Sequence, residues 1–405
     1  MMQSNYKPIG DYIKLVDERN KGLNINNLIG VSISKQFIKS VANIIGTDME
    51  NYKIIRKNQF ACSIMQVRRD KKMPIALYRN EQPSIISQAY PVFEITNPAE
   101  LLPEYLMMWF TRSEFDREAC FHAVGGVRGS LEWEDFCNMK LPIPSLEKQL
   151  EMIKEYNIIQ NRIKLNNQLI AKLEETAQAI YKQWFVDFEF PDENGLPYKS
   201  SGGKMEWSDE IEKEIPKNWS GVKLNGISVY ISSKVCISKL NKNNYISTEN
   251  MLQNRGGIIE ITNLPIGTTV NRFSVNDILI SNIRPYFKKI WQATYDGGCS
   301  NDILCFRAYD SIQPQFLYYT LETDAFFDYV MAGSNGAKMP RGDKDWIMDY
   351  KIALPTDRVL RLFSSHISKL QYFLNARHKE NSILQSLFNP LYSKMTKVKI
   401  EKELA

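Results

Sequence analysis

The chain has 405 residues, too many for one ordinary hydrophobic core and enough for two globular domains with connecting structure. Hydrophobic residues at 43% and aromatic residues at 11% exclude a disordered chain. A net charge of +5 is a mild basic excess that implies no polyanionic partner by itself, because binding depends on where the charge sits.

The first globular domain spans residues 1–144. It carries short β-like runs, Tyr52–Ile55 and Ile85-Ile86, and a helix predicted from Pro103 to about Ala119. Pro142 and Pro144 close it, since the residue before a proline disfavours helical geometry. Ser145 then serves as an N-cap, and Glu147 faces the positive end of a helix predicted over 145–186. Residues 187–215 are dense in turn formers and lack helical period, so they read as a linker ending at Ile215-Pro216-Lys217-Asn218-Trp219. The second globular domain, 216–355, has a β-like run at Asp277–Ile280 and a helix starting at Pro314. Pro355-Thr356-Asp357 repeats the stop-and-cap signal, a second long helix covers 356–396, and a short tail of mixed charge, 397–405, ends the chain.

These halves are copies. A shift of 211 positions lays Pro103-Glu104-Tyr105-Leu106 on Pro314-Gln315-Phe316-Leu317, and Leu141–Ser145 on Ile352–Thr356. The same shift superposes the long helices. The apolar spine of the first is Tyr156, Ile159, Ile163, Asn166, Ile170, Leu173, Ala177, Ile180 and Trp184. That of the second is Ile367, Leu370, Leu374, Arg377, Asn381, Leu384, Phe388, Leu391 and Met395. Both follow the 3-4 spacing of a coiled-coil seam, in which polar Asn166, Arg377 and Asn381 weaken pairing but specify register. The fold expected is a mixed α/β protein with two globular domains. Two long helices, packed as an antiparallel coiled coil, separate the domains in a pseudo-two-fold internal repeat. A helix of about 40 residues is about 60 Å long, which would put the domains at opposite ends of a rod.

Signals for catalysis are few. The phosphate-binding Gly-x-x-x-x-Gly-Lys-Ser/Thr loop, the Gly-x-Gly-x-x-Gly turn and His-Glu-x-x-His are absent from the sequence. Asn389-Pro390-Leu391-Tyr392 resembles an adenine-methyltransferase tetrad only superficially, because Leu391 belongs to the seam. Pro191-Asp192 is not followed by a nearby Asp-x-Lys, as a nuclease metal site would require. Six cysteines without a Cys-x-x-Cys pair, and three histidines, give no zinc spacing, so the cysteines read as reduced, mostly buried thiols. The N-terminal stretch lacks the apolar core of a signal peptide, and Leu101–Phe110 is broken by Pro103 and Glu104. The expected compartment is the cytoplasm, with no membrane association.

Basic residues carry the remaining signal. Arg68, Arg69, Lys71 and Lys72 cluster after Ser63; Arg284, Tyr286, Lys288 and Lys289 cluster after Ser281. Nearer the end of each domain come Gly125–Ser130, with Arg128, and Gly333–Arg341, with Lys338 and Arg341. Cations beside aromatic and amide groups suit phosphate positioning and base-edge readout, and glycine lets a backbone approach a phosphate. One such cluster is ordinary in a solvated loop. Recurrence at matching places in both copies argues for a DNA-binding surface.

The stretch Gly125–Gln149 resembles the join between a target-recognition domain and the first conserved helix of type I restriction–modification specificity subunits. The helix exit Ala179–Phe190 and the restart Glu214–Trp219 are similar to that family's central region. The second join departs from the pattern, with Ile352-Ala353-Leu354-Pro355-Thr356 in place of Pro-x-Pro. The resemblance implies a non-catalytic DNA-recognition subunit in which each domain reads one half of a bipartite, asymmetric target. It implies partners: double-stranded DNA, two methyltransferase subunits and two translocating endonuclease subunits. S-adenosylmethionine, ATP and magnesium would sit on those partners, with no cofactor or metal on this chain. The competing expectation is a coiled-coil interaction scaffold without DNA specificity.

Overall fold

The computed structural model describes residues 6–40, 47–125, 129–259, 261 and 263–396. Arg128 and the tail 397–405 lie outside the described residues. The chain divides into two compact units, residues 1–167 with 378–405, and residues 168–377. The boundaries fall inside the two long helices, so each unit contains part of both.

In the first unit, Tyr6–Pro8 pairs antiparallel with Lys140–Pro142 and ties the start of the domain to its end. A four-stranded antiparallel sheet follows the order Ile13–Val16, Val92–Ile95, Phe60–Cys62, Ile75–Leu77. Phe60 stacks on Phe93 at 5.0 Å, and Phe110, Phe115 and Phe136 close a wholly buried aromatic core. A second sheet runs Phe37–Lys39, Leu28–Val31, Ser84–Ile86, Lys53–Ile55, with a parallel pair at its centre. The predicted Pro103 helix is two helices, Pro103–Phe110 and Ser113–His122, interrupted at Thr111 and Arg112. Pro103 occupies the first turn, where its missing N–H costs nothing.

The second unit repeats this plan. Ser220–Lys223 pairs with Lys351–Leu354. One sheet runs Ser228–Tyr230, Ile303–Ala308, Ile278–Ser281, Ile290–Gln292; the other runs Lys234–Cys236, Thr269–Phe273, Gly297–Cys299, Tyr245–Ile246. Helices Pro314–Glu322, Asp324–Ala332 and Lys344–Met348 answer those starting at Pro103, Ser113 and Trp133, each 211 positions on. Upstream the shift changes: Phe60 and Ile278, which open equivalent strands, are 218 apart, and an insertion between the copies explains the weaker likeness there. The outer strand also moves. Phe37–Lys39 pairs with the parallel member Leu28–Val31, whereas Lys234–Cys236 pairs with the antiparallel member Thr269–Phe273.

The first long helix runs Leu146–Tyr181 and ends in a π turn, Lys182–Val186, closed by the Asp187 N–H on the Lys182 carbonyl at 2.9 Å. The wider turn brings Trp184 and Phe185 into the core together. The second runs Asp357–Ser386, breaks at Leu387 and resumes as Phe388–Thr396. Pro390 causes the break, because it has no N–H for the Ser386 carbonyl.

The spine residues are the inward faces. In the first unit Tyr156 meets Phe388 at 5.2 Å, Lys394 pairs with Glu155, Arg162 pairs with Glu380, and Asn166 donates to Asn381 at 2.9 Å. Rising numbers on one helix meet falling numbers on the other, so the segments are antiparallel. Ile159, Ile163 and Leu384 are half-buried along this contact, and Leu391 is buried. In the second unit Trp184 meets Phe363 at 5.8 Å and Ile367 is fully buried, while Ile170 and Ala177 are also buried. Leu173, Ile180, Leu370 and Leu374 are half-buried. The helices also pack on the domains: Met152, Ile153 and Met395 join the first aromatic core, and Tyr181, Trp184 and Phe185 join the second.

The segment read as a linker is folded. Met205–Ser208 and Lys213–Pro216 form a hairpin, and buried Phe190 stacks between Tyr198 at 4.6 Å and Trp219 at 5.0 Å. Among the described residues no helix is long and apolar enough to cross a membrane. The cysteines are free thiols; Cys62, Cys299 and Cys305 are buried, but Cys236 is exposed.

Candidate nucleic-acid interface

Each basic cluster occupies the connection between two strands of the main sheet, and the two connections share an unusual backbone. In the first unit a single helical turn, Val67–Asp70, is flanked by Gln66 and Lys71 in the left-handed region, at φ 63° and 52°. In the second, a single 3-10 turn, Pro285–Phe287, is flanked by Arg284 and Lys288 at φ 51° and 50°. Left-handed geometry costs a non-glycine residue about 1–2 kcal/mol. Four such residues at equivalent places mark a conformation that the surrounding fold imposes.

The glycine-containing loop near the end of each domain lies against this turn. The Arg68 N–H donates to the Gly129 carbonyl at 3.2 Å, and its guanidinium donates to the Gly125 carbonyl at 3.1 Å. A Cβ on Gly129 would stand 3.0 Å from the Arg68 Cβ, so glycine is what lets loop and turn meet. In the second unit the Arg284 N–H donates to the Pro340 carbonyl at 2.8 Å, and Ile283 bridges to Arg341. The structure therefore brings together, within each unit, the two basic segments that the sequence placed some fifty residues apart.

The cations differ in how far they are already engaged. Arg68, Arg69, Lys71 and Lys72 are exposed. Arg69 is turned onto Asp70 through two bonds, 2.7 and 3.2 Å, while among the described residues the Arg68 guanidinium bonds the Gly125 carbonyl alone. In the second unit Lys288 pairs with Asp324 at 2.7 Å, and Arg255 grips the same carboxylate. Hydrogen bonds from Lys288 and Arg255 hold the Asp324 carboxyl down to about 2. Lys289 donates to the Thr248 carbonyl at 2.6 Å, and partial burial lowers its pKa. Arg284 is half-buried, Tyr286 and Lys338 are exposed, and Arg341 makes an exposed pair with Asp302 at 3.2 Å. Arg255 was not singled out by sequence reasoning. It reaches the turn through the bond from its N–H to the Lys288 carbonyl at 2.9 Å, a contact over more than thirty residues that leaves no local signal. Among the described residues no group of three or more His, Cys, Asp or Glu side chains is placed to hold a metal ion.

Residues 72–175 match the family model described as the type I restriction modification DNA specificity domain. That stretch begins at the edge of the basic turn and ends within the first long helix. Three curated relatives are type I restriction enzyme specificity subunits. The chain is 30% identical over 134 residues to the type I restriction enzyme MjaIX specificity subunit of Methanocaldococcus jannaschii, covering 31% of this chain and 27% of the relative. It is 28% identical over 107 residues to the HindI specificity subunit of Haemophilus influenzae, covering 26% and 23%. It is 22% identical over 325 residues to the EcoDI specificity subunit of Escherichia coli, covering 74% and 71%.

The chain is similar to type I restriction–modification specificity subunits.

The first two matches span only about a quarter of those specificity subunits' length. The fold is shared over nearly the whole chain with the crystal structure of a type I restriction–modification S subunit from M. genitalium. The TM-score is 0.55 at 13% identity, with 98% of this chain and 96% of that one covered. The likeness of fold thus extends to both copies of the repeat, including the second, where the join departs from the usual motif.

Proposed function

We propose that this chain is the DNA sequence-specificity subunit of a type I restriction–modification enzyme, with each unit reading one half of a bipartite target. One observation carries the reading. A short helical turn flanked by left-handed residues, packed on the domain's later loop and bearing cations, occurs in both units, while the side chains on it differ. Repeated backbone with varied side chains suits a surface that positions phosphates alike and reads different bases. The chain itself does no chemistry in this reading. Two methyltransferase subunits and two translocating endonuclease subunits supply S-adenosylmethionine, ATP and magnesium chemistry, and this chain selects where it happens. The scaffold alternative has no observation of its own in its favour.

The test is the salt dependence of binding by the full chain to duplex DNA. Counterion release makes the logarithm of affinity fall linearly with that of salt, by about 0.9 per phosphate contacted. Steep dependence supports the reading; binding to a protein partner with little salt response, and none to DNA, rejects it.

A further inference from the structure

Apolar side chains stand exposed at the rim of both cationic turns. In the first unit Phe121 is 83% exposed, and Val124 and Met65 expose about half of their surface or more. Bonds already described place them together. Met65 leads into the turn at Gln66; Val124 pairs with Ser130 across the loop that holds Arg68. Phe121 follows Cys120, whose thiol donates to the Val67 carbonyl at 3.4 Å. In the second unit Tyr286 lies in the turn itself, and Met339 precedes the Pro340 carbonyl that accepts the Arg284 N–H. Both are close to half exposed.

Single exposed apolar residues are common on protein surfaces and need no explanation. Here the rim of the turn is apolar in both units but through residues at different positions: under the 211 shift Phe121 falls on Ala332 and Val124 on Asn335, whereas the second unit exposes Tyr286 and Met339. A shared fold requirement would conserve the side chains as well as the place. An apolar rim kept in both units through different residues, beside cations suited to phosphates, points to a partner that is constant in backbone and variable in detail. Duplex DNA has that chemistry, and the apolar feature of its major-groove edge is the thymine methyl group.

We infer that Phe121, Val124 and Met65 in the first unit, and Tyr286 and Met339 in the second, are specificity-determining residues that contact thymine methyl groups in the two half-sites. The inference rests on the DNA-recognition reading and adds an apolar component to it. The test begins with enrichment of randomised duplexes on the full chain. The enriched duplex is then made with uracil for thymine in one half-site at a time. Wild type should lose affinity about four-fold per contacted methyl, the factor that burying one methyl group supplies. The Phe121→Ala/Val124→Ala variant should lose that sensitivity in one half-site only and keep the wild-type salt slope, which also reports an intact fold. Indifference of wild type to uracil in both half-sites overturns the inference and leaves DNA recognition standing. So does a variant as sensitive as wild type, or one that binds all duplexes equally more weakly. A chain that enriches no duplex overturns the DNA-recognition reading, and this inference with it.

Discussion

The two basic turns should respond differently to charge removal, and the structure says by how much. Replacing Arg68, Lys71 and Lys72 by Gln removes three exposed cations that no carboxylate in the turn holds, whereas Arg69 is already paired with Asp70. If each touches one phosphate, the salt slope falls by about 2.7. Between 50 and 200 mM salt, wild type then loses about forty-fold more affinity than the variant. Lys288→Gln with Lys289→Gln should change the slope by less than about one unit, because these ammonium groups serve Asp324 and the Thr248 carbonyl. That second variant should instead lower stability by about 1–2 kcal/mol, the worth of charge-assisted hydrogen bonds lost from a partly buried site. Fluorescence anisotropy of the full chain on labelled duplex across a salt series reads the slopes, and urea unfolding reads the stability. Equal flattening by both variants would refute the reasoning from side-chain engagement. An unchanged slope in the first would remove its turn from the interface.

Replacing residues 1–144 with the equivalent domain of a relative should change one half of the methylated motif and spare the other, as sequencing of the modified DNA would show. Such a swap must preserve the contacts with Leu391 and with Tyr392, whose hydroxyl meets Thr111 at 3.1 Å. Asn166→Leu should cost about 1–3 kcal/mol by denaturant unfolding, since it strands the buried Asn381 amide oxygen while the Asn381 NH2 keeps its bond to Asn167, and adding Asn381→Leu should recover part of that loss. Burial raises the Glu322 carboxyl to about 7, so folding favours its protonated form. Its stabilising share is complete below pH 4.5 and is lost as pH rises through 7. Glu322→Gln should therefore flatten the fall in stability across that window, by at most about 3 kcal/mol, in unfolding experiments at pH 5 and pH 8. A parallel fall in both proteins would contradict it.

Much of the architecture is written locally. The seam residues from Tyr156 to Trp184 and from Ile367 to Leu391 were legible because one buried helix face must repeat its apolar positions every three to four residues. Pro103 and Pro314 announce helix starts because proline is accepted in a first turn, and the 211 shift between them exposed the duplication. The basic clusters were visible as composition. Three things were not local. Identical periods on both helices cannot say which segment of one meets which segment of the other; Asn166 with Asn381 and Trp184 with Phe363 are contacts that only the folded units decide. The left-handed residues Gln66, Lys71, Arg284 and Lys288 carry no glycine to betray them, because the surrounding sheet and loop impose their geometry. Phe188 and Phe190 looked like part of a linker until Trp219 and Tyr198 supplied the other side of their core. Which cations remain available is tertiary for the same reason. Lys288 is one more lysine in the sequence until Asp324, held by Arg255 as well, arrives from another part of the chain.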